Sequence, residues 1–368
     1  SSMKYFIIAG EASGDLHGSN LMKTLKAKDL QAKFIGLGGD KMRAEGCEIK
    51  VDYRDMAYMG VIAVIANLHK VTRNLKTARQ SLLQEKPDVL ILIDYPSFNL
   101  QIAQFCHKQL PNTRIIYYIP PKIWAWKEWR IHKIAKYTDK ILGIFPFEST
   151  FYAKYGYTCT YVGNPTADCI NEWKNIHSTL STHQKPETIA ILPGSRPSEI
   201  KRCLPVMLEA AREVAGNYHI VVTAAPGIDD EFYQPYLKGE TLTRDTYTTL
   251  SLAKAAVVNS GTATLETALI GCPQTAVYYV AGSKYLEWLI KPIIFKIKHF
   301  TLVNIIANKE VIQELVGRRF TKENIQHELH RLLTDEQYRQ SMIQEYHKRN
   351  MILGSESAPK NAADIIVQ

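Results

Sequence analysis

The chain has 368 residues, of which 46% are hydrophobic and 22% charged, a composition typical of a folded protein with room for two domains. Its formal net charge of +9 favours acidic partners: nucleic acid, an anionic membrane surface or phosphorylated substrates. The six scattered cysteines lack CxxC pairs, so the sequence indicates neither a zinc site nor a disulfide framework. No apolar run reaches the roughly 18 residues of a membrane-spanning helix, and a cytoplasmic setting is expected.

Short apolar runs alternate with amphipathic stretches through the first half of the chain. This alternation is typical of a parallel, doubly wound sheet whose buried strands are separated by helices. We predict a Rossmann-like domain over residues 3–170, with strands at residues 5–9, 34–37, 89–93, 115–119 and 141–145.

The same rhythm restarts after a polar, turn-prone stretch at residues 171–186, which we interpret as a linker. A second Rossmann-like domain is predicted over residues 186–345, and residues 346–368 form a helical tail that can pack back on the first domain. The predicted fold class is α/β, with two doubly wound domains facing a cleft. The strands expected in the second domain are residues 188–192, 219–223, 255–258 and 274–280.

Ligands of open α/β sheets bind beyond the carboxyl ends of the strands, so the loops there are the candidate sites. In the first domain, residues 10–15 (GEASGD) include Ser13 and Gly14, whose backbone N–H groups are placed to meet a polar ligand. A tight turn with Asp15 as helix cap is an equally good interpretation. Asp94 ends another strand, where a carboxylate serves either as a general base or as a helix cap.

In the second domain, residues 192–196 (LPGSR) place Ser195 and Arg196 after a strand. A guanidinium in such a loop suits a diphosphate, because it stays ionised and forms paired hydrogen bonds. A surface arginine is the alternative.

The most informative motif is the turn at residues 259–266 (NSGTATLE). Backbone N–H groups of Ser260, Gly261 and Thr262 are expected to hold phosphate, with Glu266 accepting hydrogen bonds from ribose hydroxyls. A capping box explains the pair Thr262 and Glu266 poorly, because their spacing is one residue too long.

Two segments suggest contact with a membrane surface. Residues 58–68 are apolar, and residues 284–300 interleave aromatic and aliphatic side chains with lysines, as interfacial segments on anionic bilayers do. A buried core helix is an equal alternative for the first segment. The three tryptophans within residues 123–130 either stack on a ligand ring or brace the domain.

Taken together, these motifs resemble the lipid A disaccharide synthase family along nearly the whole chain. The matching stretches include GEASGD, IDYPSFN, the WAW of residues 124–126, LPGSR, SGTATLE and the VNIIA of residues 303–307. The resemblance implies a GT-B glycosyltransferase that moves 2,3-diacylglucosamine from UDP to 2,3-diacylglucosamine 1-phosphate in lipopolysaccharide biosynthesis, forming a β(1→6) disaccharide with inversion. The acceptor would bind the first domain and the UDP-sugar the second, with Asp94, Arg196 and Asn304 on positions needed for activity.

On this hypothesis the enzyme requires neither a metal nor a cofactor, because an arginine and a helix N-terminus can stabilise the leaving diphosphate. It would be peripheral on the inner face of the cytoplasmic membrane, and a homo-oligomer is compatible with the sequence. The alternatives are another GT-B transferase, a UDP-sugar epimerase and a catalytically silent module on the membrane surface. A nucleic-acid-binding protein would explain the charge, but no motif for nucleic acid accompanies it.

Overall fold

The structure, a computed structural model, describes residues 2–56, 65–122, 130–178, 187–259, 261–279, 299–353 and 357–368. The chain divides into two compact units. The first comprises Ser1–Pro165 with Ser355–Gln368, and the second is Thr166–Gly354.

In the described part of the first unit, a parallel sheet has the strand order β3-β2-β1-β4-β5-β6-β7. The strands are β1 (Lys4–Ala9), β2 (Lys33–Gly38), β3 (Cys47–Asp52), β4 (Val89–Ile93), β5 (Arg114–Tyr118), β6 (Lys140–Gly143) and β7 (Thr160–Tyr161). The helices between them are α1 (Ala12–Lys28), α2 (Asp40–Ala44), α3 (Leu68–Glu85), α4 (Pro96–Gln109), α5 (Arg130–Tyr137) and α6 (Pro146–Ala153).

The second unit repeats this architecture with the parallel order β10-β9-β8-β11-β12-β13 in its described residues. Its strands are β8 (Thr188–Leu192), β9 (His219–Thr223), β10 (Thr241–Thr243), β11 (Ala253–Asn259), β12 (Gln274–Tyr278) and β13 (Glu314–Val316). Its helices are α7 (Pro165–Ile176), α8 (Pro197–Val214), α9 (Asp230–Tyr233), α10 (Thr246–Leu252), α11 (Ala263–Ile270), α12 (Leu302–Ala307), α13 (Lys322–Thr334) and α14 (Glu336–Ile352).

Both faces of the first sheet are covered, which is why its central strand β4 is apolar at every position rather than at alternate ones. Phe6 and Ile8 of β1 belong to the core formed with α3 to α6. Tyr5 and Ile7 belong to the core on the opposite face, formed with α1 and α2. The prediction of two parallel-sheet, Rossmann-like α/β domains is confirmed.

A last helix, α15 (Ala358–Ile366), belongs to the first unit although it follows the second in sequence. Ala362 and Ile366 are fully buried in the same core as α1. The Asn361 side chain donates to the carbonyl of Val162 at 2.8 Å, and Arg114 donates to the carbonyl of Ile366 at 2.7 Å. This helix therefore completes one covered face of the first sheet.

Two features bear on the predicted linker and the membrane. Helix α7 continues to Ile176, so the first residues of the polar stretch predicted as a linker are helical. None of the helices within the described ranges has the length and apolar character needed to cross a bilayer.

Candidate active site

In each unit the strand order reverses direction between two neighbouring strands, β1 and β4 in the first sheet and β8 and β11 in the second. Such a reversal opens a crevice at the carboxyl ends of the strands, where doubly wound sheets bind ligands. Residues 10–15 follow β1 and Asp94 follows β4, whereas Arg196 follows β8 and residues 260–266 follow β11. The structure thus places the described residues of these four loops at one or other of the two reversals.

The turn after β4 has a strained backbone. Asp94 and Tyr95 have φ angles of 44° and 51°, in the left-handed region, and Ile119 after the neighbouring strand β5 has a φ of 62°. Each such residue costs about 1–3 kcal/mol, and residues of this kind cluster at functional sites. The backbone N–H of Asp94 donates to the carbonyl of Ile119 at 3.0 Å, which joins the two strained positions. The Asp94 side chain is half-buried.

The loop after β1 packs tightly against this turn. A Cβ atom on Gly10 would lie 2.5 Å from the ring of Tyr95, so only glycine fits beneath that ring. Gly14 is buried in α1, where a Cβ would lie 3.0 Å from that of Ala9. In this structure Gly14 therefore serves the packing of helix on sheet, whereas Ser13 is exposed. The predicted ligand contacts of both residues stay predictions.

Asp15 has a different role from the one predicted. It lies inside α1, and its buried carboxylate accepts hydrogen bonds from the backbone N–H groups of Gly39, Lys41 and Met42 at 2.9–3.1 Å. These groups lie at the start of α2, where the helix leaves its first N–H groups without partners. The interpretation of Asp15 as the cap of its own helix is therefore wrong; it caps the next helix.

In the second unit, the loop after β8 turns at Gly194, whose φ of +116° favours glycine. Asn259, at the end of β11, donates to the carbonyl of Pro193 at 2.7 Å and so ties the two strand ends together. Arg196 directly precedes α8, and its guanidinium lies 3.4 Å from the Glu199 carboxylate, with 17% of the side chain exposed. Ser195 is exposed beside it.

The turn after β11 begins α11. Thr262 is the N-cap residue of this helix. Its side chain makes no capping hydrogen bond, so a capping box is not formed. The carbonyl of Gly261 accepts hydrogen bonds from the Leu302 N–H at 3.4 Å and the Thr264 hydroxyl at 2.5 Å. Ser260 lies outside the described residues.

Glu266 is an acid of this turn with a strongly perturbed pKa. It lies in the first turn of α11, and burial raises the pKa of its carboxyl from 4.5 to about 7. Within the part of the chain that the structure describes, no side chain donates a hydrogen bond to it. A half-buried acceptor without a donor suits a ligand that brings hydroxyl groups.

Asn304 is fully buried in α12, and its side chain bonds the backbone before β13. Its Oδ1 accepts from the N–H groups of Val311 and Ile312 at 2.8 and 3.0 Å, and its Nδ2 donates to the carbonyl of Ile312 at 2.9 Å. In this structure the side chain holds a loop in place. Its predicted catalytic role stays a prediction.

Two residues, one in each unit, lie close to these loops and were not singled out from the sequence. Tyr278 ends β12, the neighbour of β11, and its ring stacks on Phe300 with 6.4 Å between centroids. Tyr117 lies within β5 and belongs to none of the sequence motifs, but its hydroxyl donates a hydrogen bond to the carbonyl of Asp94. Position near the carboxyl end of a predicted strand was the available signal for Tyr278, whereas Tyr117, inside an apolar run, gave no signal.

Several sequence predictions fall partly or wholly outside the described residues. These are the tryptophan segment at residues 123–130, of which Arg130 alone is described, and most of the segments at residues 58–68 and 284–300. Among the described side chains, no group of three His, Cys, Asp or Glu is placed to share a metal ion.

Comparison with known proteins gives a consistent result. A family model described as lipid-A-disaccharide synthetase matches residues 5–366. The lipid-A-disaccharide synthase of Trichlorobacter lovleyi is 34% identical over 375 residues, covering 99% of this chain and 97% of that protein.

Two solved structures share the fold. The UDP-GlcNAc 2-epimerase of Methanocaldococcus jannaschii, determined with UDP-GlcNAc and UDP, has a TM-score of 0.63 at 13% identity and covers 99% of each chain. A calicheamicin glycosyltransferase has a TM-score of 0.56 at 13% identity, covering 100% of this chain and 98% of its own. At these identities the likeness shows the fold alone.

Proposed function

Because the chain belongs to the lipid-A-disaccharide synthetase family, we propose that it transfers 2,3-diacylglucosamine from UDP-2,3-diacylglucosamine to 2,3-diacylglucosamine 1-phosphate. The products are the β(1→6) disaccharide 1-phosphate and UDP. As a member of this family, the chain is a glycosyltransferase that catalyses the disaccharide-forming step of lipid A synthesis in lipopolysaccharide biosynthesis. The observation that carries the chemistry is the half-buried Asp94 on a strained turn at the reversal of the first sheet.

In the first unit, Asp94 accepts the proton of the acceptor 6-hydroxyl as that oxygen attacks the anomeric carbon of the donor. The bond from this carbon to the diphosphate oxygen breaks in the same step, and UDP leaves as an anion. A single displacement inverts the anomeric centre. The strained backbone of Asp94 supports this role. A residue keeps such an unfavourable φ angle only when its surroundings enforce it, and this is typical of residues at functional sites.

In the second unit, Arg196 and the turn of Ser260, Gly261 and Thr262 bind the diphosphate, with Ser195 beside them. A guanidinium and the N-terminus of α11 both carry positive charge, which stabilises the departing phosphate without a metal ion. Glu266 accepts hydrogen bonds from the ribose. Its elevated pKa supports this assignment, because the bound ribose would supply the donors that the carboxylate lacks.

Both sugars carry acyl chains, so we also propose peripheral contact with the inner face of the cytoplasmic membrane through residues 58–68 and 284–300. Ile65 and Leu68, in the described end of the first segment, are 68% and 58% exposed. The second segment ends at Phe300, whose N–H donates to the Glu314 carboxylate, as does the N–H of the next residue, Thr301. A net charge of +9 favours an anionic surface.

The test is UDP release from UDP-2,3-diacylglucosamine with and without the acceptor, in detergent with a chelator and no added metal. Native protein should release UDP only when the acceptor is present, and Asp94→Asn should lower this release about 100- to 10,000-fold while binding UDP as before. Asp40→Asn, at an exposed carboxylate after strand β2 of the same sheet, is the matched control. No turnover by native protein, or release indifferent to the acceptor, would refute the proposal.

A further inference from the structure

The backbone of Asp94 is held from three directions. Its N–H donates to the carbonyl of Ile119 at 3.0 Å. Its carbonyl oxygen accepts two hydrogen bonds, from the Tyr117 hydroxyl at 2.6 Å and from the Asn99 side-chain amide at 2.7 Å. The backbone N–H and the carbonyl of Asp94 are therefore both hydrogen-bonded, and the carbonyl accepts from two donors.

The two donors come from different elements that flank the turn. Tyr117 belongs to β5 and Asn99 to α4, and both side chains are completely buried. The Asn99 amide also lies 3.3 Å from the carbonyl of Ile93, the residue before Asp94. Burial raises the pKa of the Tyr117 hydroxyl well above its ordinary value, so this hydroxyl remains protonated and donates throughout the working pH range.

These bonds fix the carboxylate as well as the backbone. A left-handed φ sets the direction of the Cα–Cβ bond, and an unrestrained Asp94 would relax toward an ordinary conformation that points this bond elsewhere. A hydroxyl and an amide on the same carbonyl prevent that relaxation. In a transferase the cost of relaxation is large, because misplacing a reacting group by about 1 Å can lower the rate about 100-fold.

We propose that Tyr117 and Asn99 are positioning residues that hold the Asp94 carboxylate where it meets the acceptor hydroxyl. This inference rests on the proposed function, in which Asp94 takes the proton of that hydroxyl. Neither residue touches the substrate; both act through the conformation of Asp94. They thus differ from ordinary core residues, whose loss lowers stability without a specific effect on turnover.

The chain provides a matched pair for the test. Tyr152 of α6 is fully buried in the same core as Tyr117, and its hydroxyl has no hydrogen-bond partner among the described residues. Tyr117→Phe and Tyr152→Phe each remove one buried hydroxyl from this core, but only the first removes a bond to Asp94. We expect Tyr117→Phe to lower kcat by about tenfold or more with KM for both substrates unchanged, and Tyr152→Phe to alter neither.

A second measurement separates positioning from a general loss of stability. In the Asp94→Asn background, Tyr117→Phe should cause no further fall in the residual rate, because its effect passes through the missing carboxylate. Thermal unfolding of each variant shows whether it folds. Should Tyr117→Phe fail to fold, Asn99→Ser removes the other bond and is measured in the same way.

The outcomes distinguish a failure of the positioning role from a failure of the proposed function. Equal kcat for the two tyrosine variants, in a native protein that transfers sugar, would overturn the positioning role. So would a further loss of rate from Tyr117→Phe in the Asp94→Asn background. If native protein shows no acceptor-dependent UDP release at all, the proposed function itself is wrong.

Discussion

Lowering the pH from about 8 to about 6 is expected to weaken uridine binding about tenfold through protonation of Glu266. Burial raises the pKa of this carboxyl to about 7. Hydroxyl donors of a ribose favour the carboxylate over the neutral acid, so binding releases the proton. Glu266 is roughly 90% ionised at about pH 8 and roughly 10% at about pH 6, which gives the factor of about ten. Affinity should rise with pH and level off above about pH 8.

Calorimetric titration with uridine at several pH values measures this effect, and buffers of different ionisation enthalpy count the protons released. Uridine is the first ligand because the phosphates of UDP titrate in the same range. Glu266→Gln keeps a side chain of similar size that cannot ionise, and its affinity for uridine should be independent of pH. When UDP is the ligand, any change in its affinity for Glu266→Gln with pH comes from titration of the UDP phosphates alone.

A native protein whose uridine affinity follows pH as weakly as that of Glu266→Gln would refute this reasoning. Two physical errors would then be possible: either Glu266 titrates far below 7, or it does not contact the ribose. The affinity of Glu266→Gln for uridine at about pH 8 separates them, because a carboxylate of ordinary pKa that contacts the ribose is lost in this variant and lowers the affinity, whereas loss of an uncontacted carboxylate leaves the affinity unchanged.

Arg196→Ala should weaken UDP binding about 10–100-fold, because hydrogen bonds to charged groups contribute about 1.5–3 kcal/mol, while uridine binding stays unchanged. Titration of Arg202→Ala, an exposed arginine on the same helix that donates to Tyr279, should show no such loss; equal losses in the two variants would argue against a diphosphate site at Arg196. Asn304→Ala should lower the free energy of unfolding by about 2–4 kcal/mol, because it leaves buried backbone groups before β13 without partners. Urea denaturation beside Asn324→Ala, an exposed asparagine with a single backbone bond, checks this, and similar losses for both would contradict the role seen here.

The central strands could be predicted from the sequence, and the edge strands could not. Runs at residues 89–93, 188–192 and 219–223 match β4, β8 and β9, because strands covered on both faces are continuously apolar. The strands β3, β7, β10 and β13 were not predicted. They lie at or beside the sheet edges, with half-buried or exposed positions that leave no apolar run. Their pairing is decided by neighbours distant in sequence.

The candidate site, too, could be predicted only in part from the sequence. The loops after β1, β4, β8 and β11 were predictable because small residues, an acid or an arginine directly follow an apolar run. The role of Asp15 was not, since its partners at residues 39–42 follow the neighbouring strand β2 and are brought to it only by folding. The two donors on Asp94 likewise come from a neighbouring strand and helix. Local sequence identifies a group that can react, but contacts formed on folding determine how it is held.

The position of α15 has a consequence for synthesis on the ribosome. This helix completes the core of the first unit, yet roughly 190 residues of the second unit are translated between it and the rest of that core. At about 5–20 residues per second, the apolar face of α1 waits about 10–40 s for its cover. During that interval the nascent first unit exposes a surface that chaperones bind, whereas the second unit is contiguous and can fold as soon as it emerges.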